Sequence, residues 1–360
     1  MTETPILQFG TSRFLQAHVD LFVAQAGAGP ITVAQTTGSP GSLARIRGFR
    51  SLRPYPVHLR GLERGTAVDR TIMVGSIAAA LDAAADWPEV QRRFTAARWI
   101  ISNTGERGYE PTAIDRPDST PPRGFPAKLA VLLHARWQAG APAPTLLPCE
   151  LVTDNGATLR DAVLAIARAW AMAPAFLAWL TGDCLWVNSL VDRIVPTSLD
   201  PVGAIAEPYA LWAIEHQPGF VPPCVHPDIS VVPDLAPYER LKLFILNLGH
   251  TALAERWHTT ARDPEETVVQ AMADPETAAF LASLYDDEVL PVFAAIGMGP
   301  QATAYRDTVL DRFANPFLRH RFADIHVNQH AKKERRIGAF LDLARQAGRT
   351  APRLTWMMAG

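Results

Sequence analysis

The sequence predicts an α/β protein in two parts, a parallel-sheet domain followed by a mostly α-helical one. Three observations lead there. At 360 residues the chain is long for one core and suggests two domains. Its first half alternates short apolar runs with helical patterns, which is the signature of a parallel sheet. From about Ala236 helical periodicity takes over and strand-like runs nearly vanish. Pro218, Pro222, Pro223 and Pro227 favour extended connections just upstream of that change. The boundary is therefore placed near Pro233, with domains of 1–233 and 234–360.

Taken in order, Ile6–Phe9 is a short apolar strand ending in Gly10, and Phe14–Ala26 then carries apolar residues at helical spacing. Ile31–Ala34 is a second strand. Trp99–Ser102 is a third and ends in the polar turn Asn103-Thr104-Gly105-Glu106. Thr145–Leu147 and Leu185–Val187 are further candidates. Gly108–Gly124 is rich in Pro, Asp, Arg and Thr and reads as a surface loop. Ala162–Leu180 is apolar but interrupted by Arg168 and Pro174, so it reads as two helices or one broken helix. No stretch reaches the roughly 20 apolar residues that span a bilayer.

Composition narrows the function classes. The chain is 48% hydrophobic and 19% charged, with 34 Lys and Arg against 36 Asp and Glu. No basic block or stripe points to nucleic acid. Cys149, Cys184 and Cys224 are widely spaced and form neither a zinc knuckle nor a disulfide framework. The N-terminus lacks the basic region and apolar core of a signal peptide. A reducing cytoplasm is the expected compartment.

The strand, the turn Gly10-Thr11-Ser12-Arg13-Phe14 and the helix have the layout of a dinucleotide-binding first turn. Glycine permits the tight turn, and the helix start offers backbone N–H groups to a pyrophosphate. The full glycine fingerprint is absent: Ser12 stands where the second glycine is expected and Leu15 where the third is. An ordinary strand–helix turn is the competing reading. The second strand runs out through Gln35, Thr36 and Thr37 with no acid to read an adenine ribose. Arg45 and Arg47 follow, so NADP stays open, although a solvated helix face is the favoured reading of both arginines.

The chemistry-bearing segment is Tyr238–His250. Drawn as an α-helix with Lys242 at zero, Glu239 falls at about 60°, His250 at about 80° and Asn247 at about 140°. These four polar side chains share one side of a helix whose other positions are mostly Leu, Ile and Phe. Burial would lower the pKa of the lysine, and a lysine beside a carboxylate, an amide and an imidazole suits acid–base work. The competing reading is a lysine at the helix edge with its head in water. His326 and His330 are spaced i,i+4 and His226 lies near Asp228, but no third ligand is evident, so no metal is expected. The run Lys332, Lys333, Arg335, Arg336 suits a carboxylate or phosphate, or a solvated helix end.

Several segments together resemble the long-chain polyol dehydrogenase family, which includes mannitol 2-dehydrogenase, mannitol-1-phosphate dehydrogenase, fructuronate reductase and tagaturonate reductase. They are Ile6–His18, Ser102–Tyr109, Leu147–Gly156, Asn188–Pro196 and Glu207–Trp212. Leu147–Gly156 is especially close to the uronate reductases. Lys242, Asn247 and His250 then match the family's Lys-x4-Asn-x2-His signature. The matches run in order from residue 6 to about residue 336.

The resemblance implies a Rossmann-type domain followed by a helical domain, with the active site between them. It implies NAD as cofactor and a sugar acid or polyol as substrate, interconverting a secondary alcohol and a ketone without a metal. Lys242 is the implied general acid–base, Asn188 and Asn247 the oxyanion donors, and His250 and Glu239 supporting residues. Preorganised donors of this kind are each worth roughly 3 kcal/mol in other enzymes. Phe9, Gly10, Thr11, Ser12, Arg13, Phe14, Asn103, Thr104, Glu106 and Asn155 are the implied cofactor residues, and Lys332 the substrate residue. Asp192 and Arg193 read as a structural ion pair. Two departures stand out. The chain is shorter than most members, and Asp324 stands eight residues before Lys332, where mannitol enzymes often carry arginine. A polyol-phosphate dehydrogenase and a non-catalytic dinucleotide or sugar-acid binder are the alternatives.

Overall fold

The computed structural model of the protein describes residues 4–359 except 111 and 113, with the side chains at 106 and 107 outside the description. The chain divides into two compact units. The first comprises Met1–His58, Thr71–Ala206 and Ala210–Leu235, and the second Leu59–Arg70, Glu207–Tyr209 and Ala236–Gly360.

Six parallel strands form the sheet of the first unit. In space they run Ile77–Asp82, Ile31–Gln35, Ile6–Phe9, Trp99–Ser102, Thr145–Pro148, Leu185–Trp186. Numbered along the chain within this sheet, that is the doubly wound order 3-2-1-4-5-6. Phe9 lies opposite both Ala34 and Ser102, so the carboxyl ends of the three central strands are level. Ile6, Leu7 and Phe9 are fully buried, as a strand covered on both faces requires.

The expected helix Phe14–Ala26 is divided into Arg13–Gln16 and Val19–Gln25. The break falls at His18, with φ −127° and ψ −90°. Its ring packs against Phe14, Phe22 and Trp212, and its Nε2 meets the carbonyl of Leu211 at 3.1 Å. Tertiary packing of one side chain thus outweighs the helical period. The strand Ile77–Asp82 was not expected, because its alanines lack the β-branched signal. Ala162–Leu180 resolves into the helices Asn155–Ala169 and Pro174–Gly182. Ser189–Asp192, Leu211–Glu215 and Ile229–Val232 make a separate three-stranded sheet.

The second unit is not contiguous, unlike the expected split at 233/234. The hairpin Tyr55–Glu63 and Thr66–Val74 turns at Arg64 and Gly65, both at positive φ as a tight hairpin turn requires. Its tip joins the helical residues. Gly65 N–H donates to Asp311, and Asn315 Nδ2 donates to the Arg60 carbonyl at 3.1 Å. Glu207 is drawn in by a buried two-point ion pair, with Arg312 Nε at 3.0 Å and Nη2 at 2.8 Å. From Ala236 on, the regular elements of the described residues are helices, with one isolated bridge between Thr267 and Arg321. Phe244, Ile245, Tyr285, Phe293, Phe313 and Phe340 are among its core residues. Among the described residues of this unit, three single turns are π-helical: Lys242–Asn247, Tyr285–Val289 and Glu334–Gly338.

Candidate active site

At the carboxyl edge of the sheet, Gly10 takes φ +121° and donates its N–H to the Ala34 carbonyl at 3.0 Å. A Cβ there would lie 2.9 Å from the Asn103 carbonyl oxygen, so only glycine fits. Gly10 and Asn103 close adjacent strands where the strand order reverses, the position at which doubly wound sheets bind ligands. Ser12 accounts for the missing second glycine. Its Oγ accepts the Leu15 N–H at 3.2 Å, capping the short helix, and donates to Asn103 Oδ1 at 3.0 Å. A dinucleotide fits this turn.

The other expected cofactor residues divide. Phe9 is buried among Phe94 and Phe125, so only its backbone reaches the edge, accepting Asn103 N–H at 3.1 Å. Arg13 Nε is held by the Val195 carbonyl at 2.7 Å, and Phe14 stacks on His18. Thr11 is buried and its hydroxyl accepts from Arg45 Nε at 3.1 Å. That contact corrects the solvated reading of Arg45, whereas Arg47 is exposed. The Glu106 side chain lies outside the described residues. Asn155 is only 1% exposed. Its Nδ2 donates to the carbonyls of Pro148, Glu150 and Ser189, and its Oδ1 accepts the Ser189 N–H. Its side-chain amide therefore ties strand ends together. Gln35 Oε1 accepts the N–H groups of Thr37 and Gly38, where an acid would otherwise stand.

Glu150 was not singled out by sequence, yet it organises this edge. One carboxylate oxygen accepts the Thr104 N–H at 2.9 Å and its hydroxyl at 3.0 Å. The other accepts Ser102 Oγ at 3.1 Å and Tyr109 OH at 3.0 Å. Burial pushes its pKa up, against the pull of these hydrogen bonds. Its one sequence signal was an acid two residues after a buried strand.

Asn188 also belongs to the first unit. Its Nδ2 donates to Glu215 at 2.8 Å and its Oδ1 accepts the Ala157 N–H at 3.0 Å. These contacts orient the amide and use one of its two N–H donors. Gly156 permits this approach, since a Cβ there would lie 2.6 Å from the Val187 carbonyl carbon. In the same segment, Arg193 Nη1 donates to the Ala17 carbonyl and lies over the Phe22 ring.

In the second unit the Lys242 segment is not one α-helix. Ala236–Leu241 is α-helical and contains Glu239, Lys242–Asn247 is π-helical, and Leu248–Thr259 is α-helical and contains His250. The i→i+5 ladder turns the chain less per residue than an α-helix does. Lys242 and Asn247, five apart, therefore lie closer around the axis than the roughly 140° of an α-wheel. Lys242, Asn247 and Glu239 are half-buried rather than enclosed, and His250 is buried. The His250 ring packs on Phe313 at 4.3 Å and His320 at 5.0 Å. Burial lowers the pKa of His320, with Lys332 adding to the effect.

The basic run separates. Lys332 Nζ donates to the Ile325 carbonyl at 2.6 Å, and its pKa is lowered by burial and by Arg336 and Arg335. Lys333 is buried and paired with Glu255 at 3.1 Å. Arg336 Nη1 donates to the Asn247 carbonyl and to Thr251 Oγ1, while Arg335 is exposed. Asp324 is exposed and paired with Arg321. His326 stacks near His258 and His330 pairs with Glu334, so the two do not converge.

Residues 4–221 match the family model of the mannitol dehydrogenase Rossmann domain, and residues 234–360 that of the mannitol dehydrogenase C-terminal domain. The altronate oxidoreductase of Bacillus subtilis (strain 168) is 33% identical over 383 residues, covering 98% of this chain and 77% of that protein. That of Klebsiella pneumoniae (strain 342) is 32% identical over 387 residues, covering 98% and 78%. Among solved structures, a substrate-free D-sorbitol dehydrogenase superposes with TM-score 0.83 at 23% identity, covering 99% of this chain and 79% of that one. A Pseudomonas fluorescens mannitol 2-dehydrogenase, solved as a ternary complex with NAD and D-mannitol, gives TM-score 0.75 at 19% identity, covering 99% and 78%. These two share the fold.

Proposed function

Because the chain belongs to the mannitol dehydrogenase family, and is a dehydrogenase acting on CH–OH groups, we propose that it interconverts altronate and its keto acid, tagaturonate, with NAD. The relatives named altronate oxidoreductase support the sugar-acid substrate. The observation that carries the mechanism is the π-helical turn bearing Lys242 and Asn247.

The dinucleotide, when bound, supplies or accepts the hydride at the secondary carbon. Lys242 gives its ammonium proton to the carbonyl oxygen as the ketone is reduced, and takes the hydroxyl proton on oxidation. Asn247 donates its amide N–H to the same oxygen as charge develops there. His250, packed on Phe313 and His320, orients a substrate hydroxyl. Glu239, one turn before Lys242, relays protons to solvent. Asn188, with its amide held by Glu215 and Ala157, positions the strand-end edge. Gly10–Ser12 and Asn103–Thr104 hold the dinucleotide, and Lys332 the substrate carboxylate. Internal use of Lys333 weighs against a phosphate subsite.

The test is the oxidation of NADH and NADPH with tagaturonate, fructuronate, fructose and fructose 6-phosphate. Tagaturonate with NADH is expected to give the highest kcat/KM. A preference for fructose 6-phosphate would overturn the substrate assignment, and no turnover of any of the four would overturn the reading as a whole.

A further inference from the structure

The π-helical turn has identifiable causes in neighbouring side chains. Tyr285 is fully buried, and its hydroxyl donates to the Ile245 carbonyl at 2.8 Å, in the middle of the Lys242–Asn247 turn. A side chain inserted at a helix ladder is a recognised way to disturb its i→i−4 period. Gly249 makes room for it: a Cβ there would lie 1.9 Å from the Tyr285 hydroxyl oxygen and 3.0 Å from the ring carbon bearing it. The glycine between Leu248 and His250 thus leaves the space that the tyrosine hydroxyl occupies, with Phe313 also 3.1 Å from that Cβ position. At the other end of the turn, the Asn247 carbonyl accepts from Arg336 Nη1 at 3.2 Å and from Thr251 Oγ1 at 2.9 Å. Tyr285 and Arg336 each belong to one of the other two π-helical turns. Two irregular turns therefore brace the first through its carbonyls.

We infer that Tyr285, with Gly249, is a positioning pair that holds Lys242–Asn247 in the π register, and that this register sets Lys242 and Asn247 on one side of the helix for proton transfer. The inference rests on the reading of Lys242 as acid–base. In an α register the two residues would stand about 140° apart around the axis, and the π register brings them closer. Tyr285 acts through the backbone of Ile245.

A mutant cycle tests this. Tyr285→Phe is expected to lower kcat about tenfold, while KM and the NADH dissociation constant stay within about twofold and the fold survives by circular dichroism. In the Lys242→Ala background, Tyr285→Phe is expected to lower kcat no further, because residues that act as a unit are not additive. Gly249→Ala is expected to be more damaging alone than in the Tyr285→Phe background, where the clashing oxygen is gone. Should Tyr285→Phe not fold, Arg336→Gln reads the same register from its other end, with the same expected loss in kcat. If Lys242→Ala lowers kcat but Tyr285→Phe, or in its place Arg336→Gln, leaves it unchanged or costs equally in both backgrounds, the positioning role is overturned and the acid–base reading stands. If Lys242→Ala leaves kcat unchanged, the acid–base reading itself falls.

Discussion

Glu150 accepts hydrogen bonds from Ser102, Thr104 and Tyr109 with both carboxylate oxygens, fixing the Asn103–Thr104 loop beside the Gly10 turn. Hydrogen bonds to a charged group are worth about 1.5–3 kcal/mol each, and about 1.4 kcal/mol is a tenfold change in affinity. Glu150→Gln replaces one acceptor oxygen with a donor that faces donors. It is expected to weaken NADH binding about tenfold or more, read by fluorescence titration; an unchanged dissociation constant would show that the loop holds itself. At this scale the sequence was partly legible. Gly10 and Asn103 meet at the predicted turn, but the Asn155 and Phe9 side chains are buried and Asn188 is tied to Glu215 and Ala157. Spacing can mark a residue as belonging to a segment but cannot say which way its side chain points.

The helix interrupted at His18 carries two buried ionisable groups with opposed effects. Burial pushes the His18 pKa down to about 3, and pushes Asp20 up to about 7 against the hydrogen bond it accepts from Tyr55. The folded state therefore binds fewer protons than the unfolded chain at His18, and more at Asp20. As pH falls from about 6.5 towards 4, His18 costs stability and Asp20 restores it. Asp20→Asn removes the second effect. Its stability is expected to fall more steeply over that window than that of the wild type, by at most about 1.4 kcal/mol per pH unit, read from urea midpoints at several pH values. Parallel slopes would contradict this. The period of apolar residues predicted a helix here, and it forms; the break did not show because His18 is pinned by Leu211 and Trp212, distant in sequence. The π-turn at Lys242 was hidden for the same reason, since Tyr285 lies forty residues on.

Over the whole molecule, the alternation of apolar runs and helical patterns was enough to predict a parallel sheet followed by helices, because those signals are local. The hairpin tip Leu59–Arg70 and Glu207–Tyr209 belong with the second unit through Asp311, Asn315 and Arg312. No local pattern announces such partners. The Lys242, Asn247 and His250 spacing was legible, but its geometry was read on an α-wheel that the folded chain does not use. The central claim is that Lys242 carries the proton. The direct measurement is turnover of tagaturonate by Lys242→Ala, with and without added primary amine, beside NADH affinity. The expected result is a kcat lowered about 10²–10⁴-fold, unchanged NADH binding, and partial recovery that rises with amine concentration. Undiminished kcat in Lys242→Ala without amine would contradict the claim.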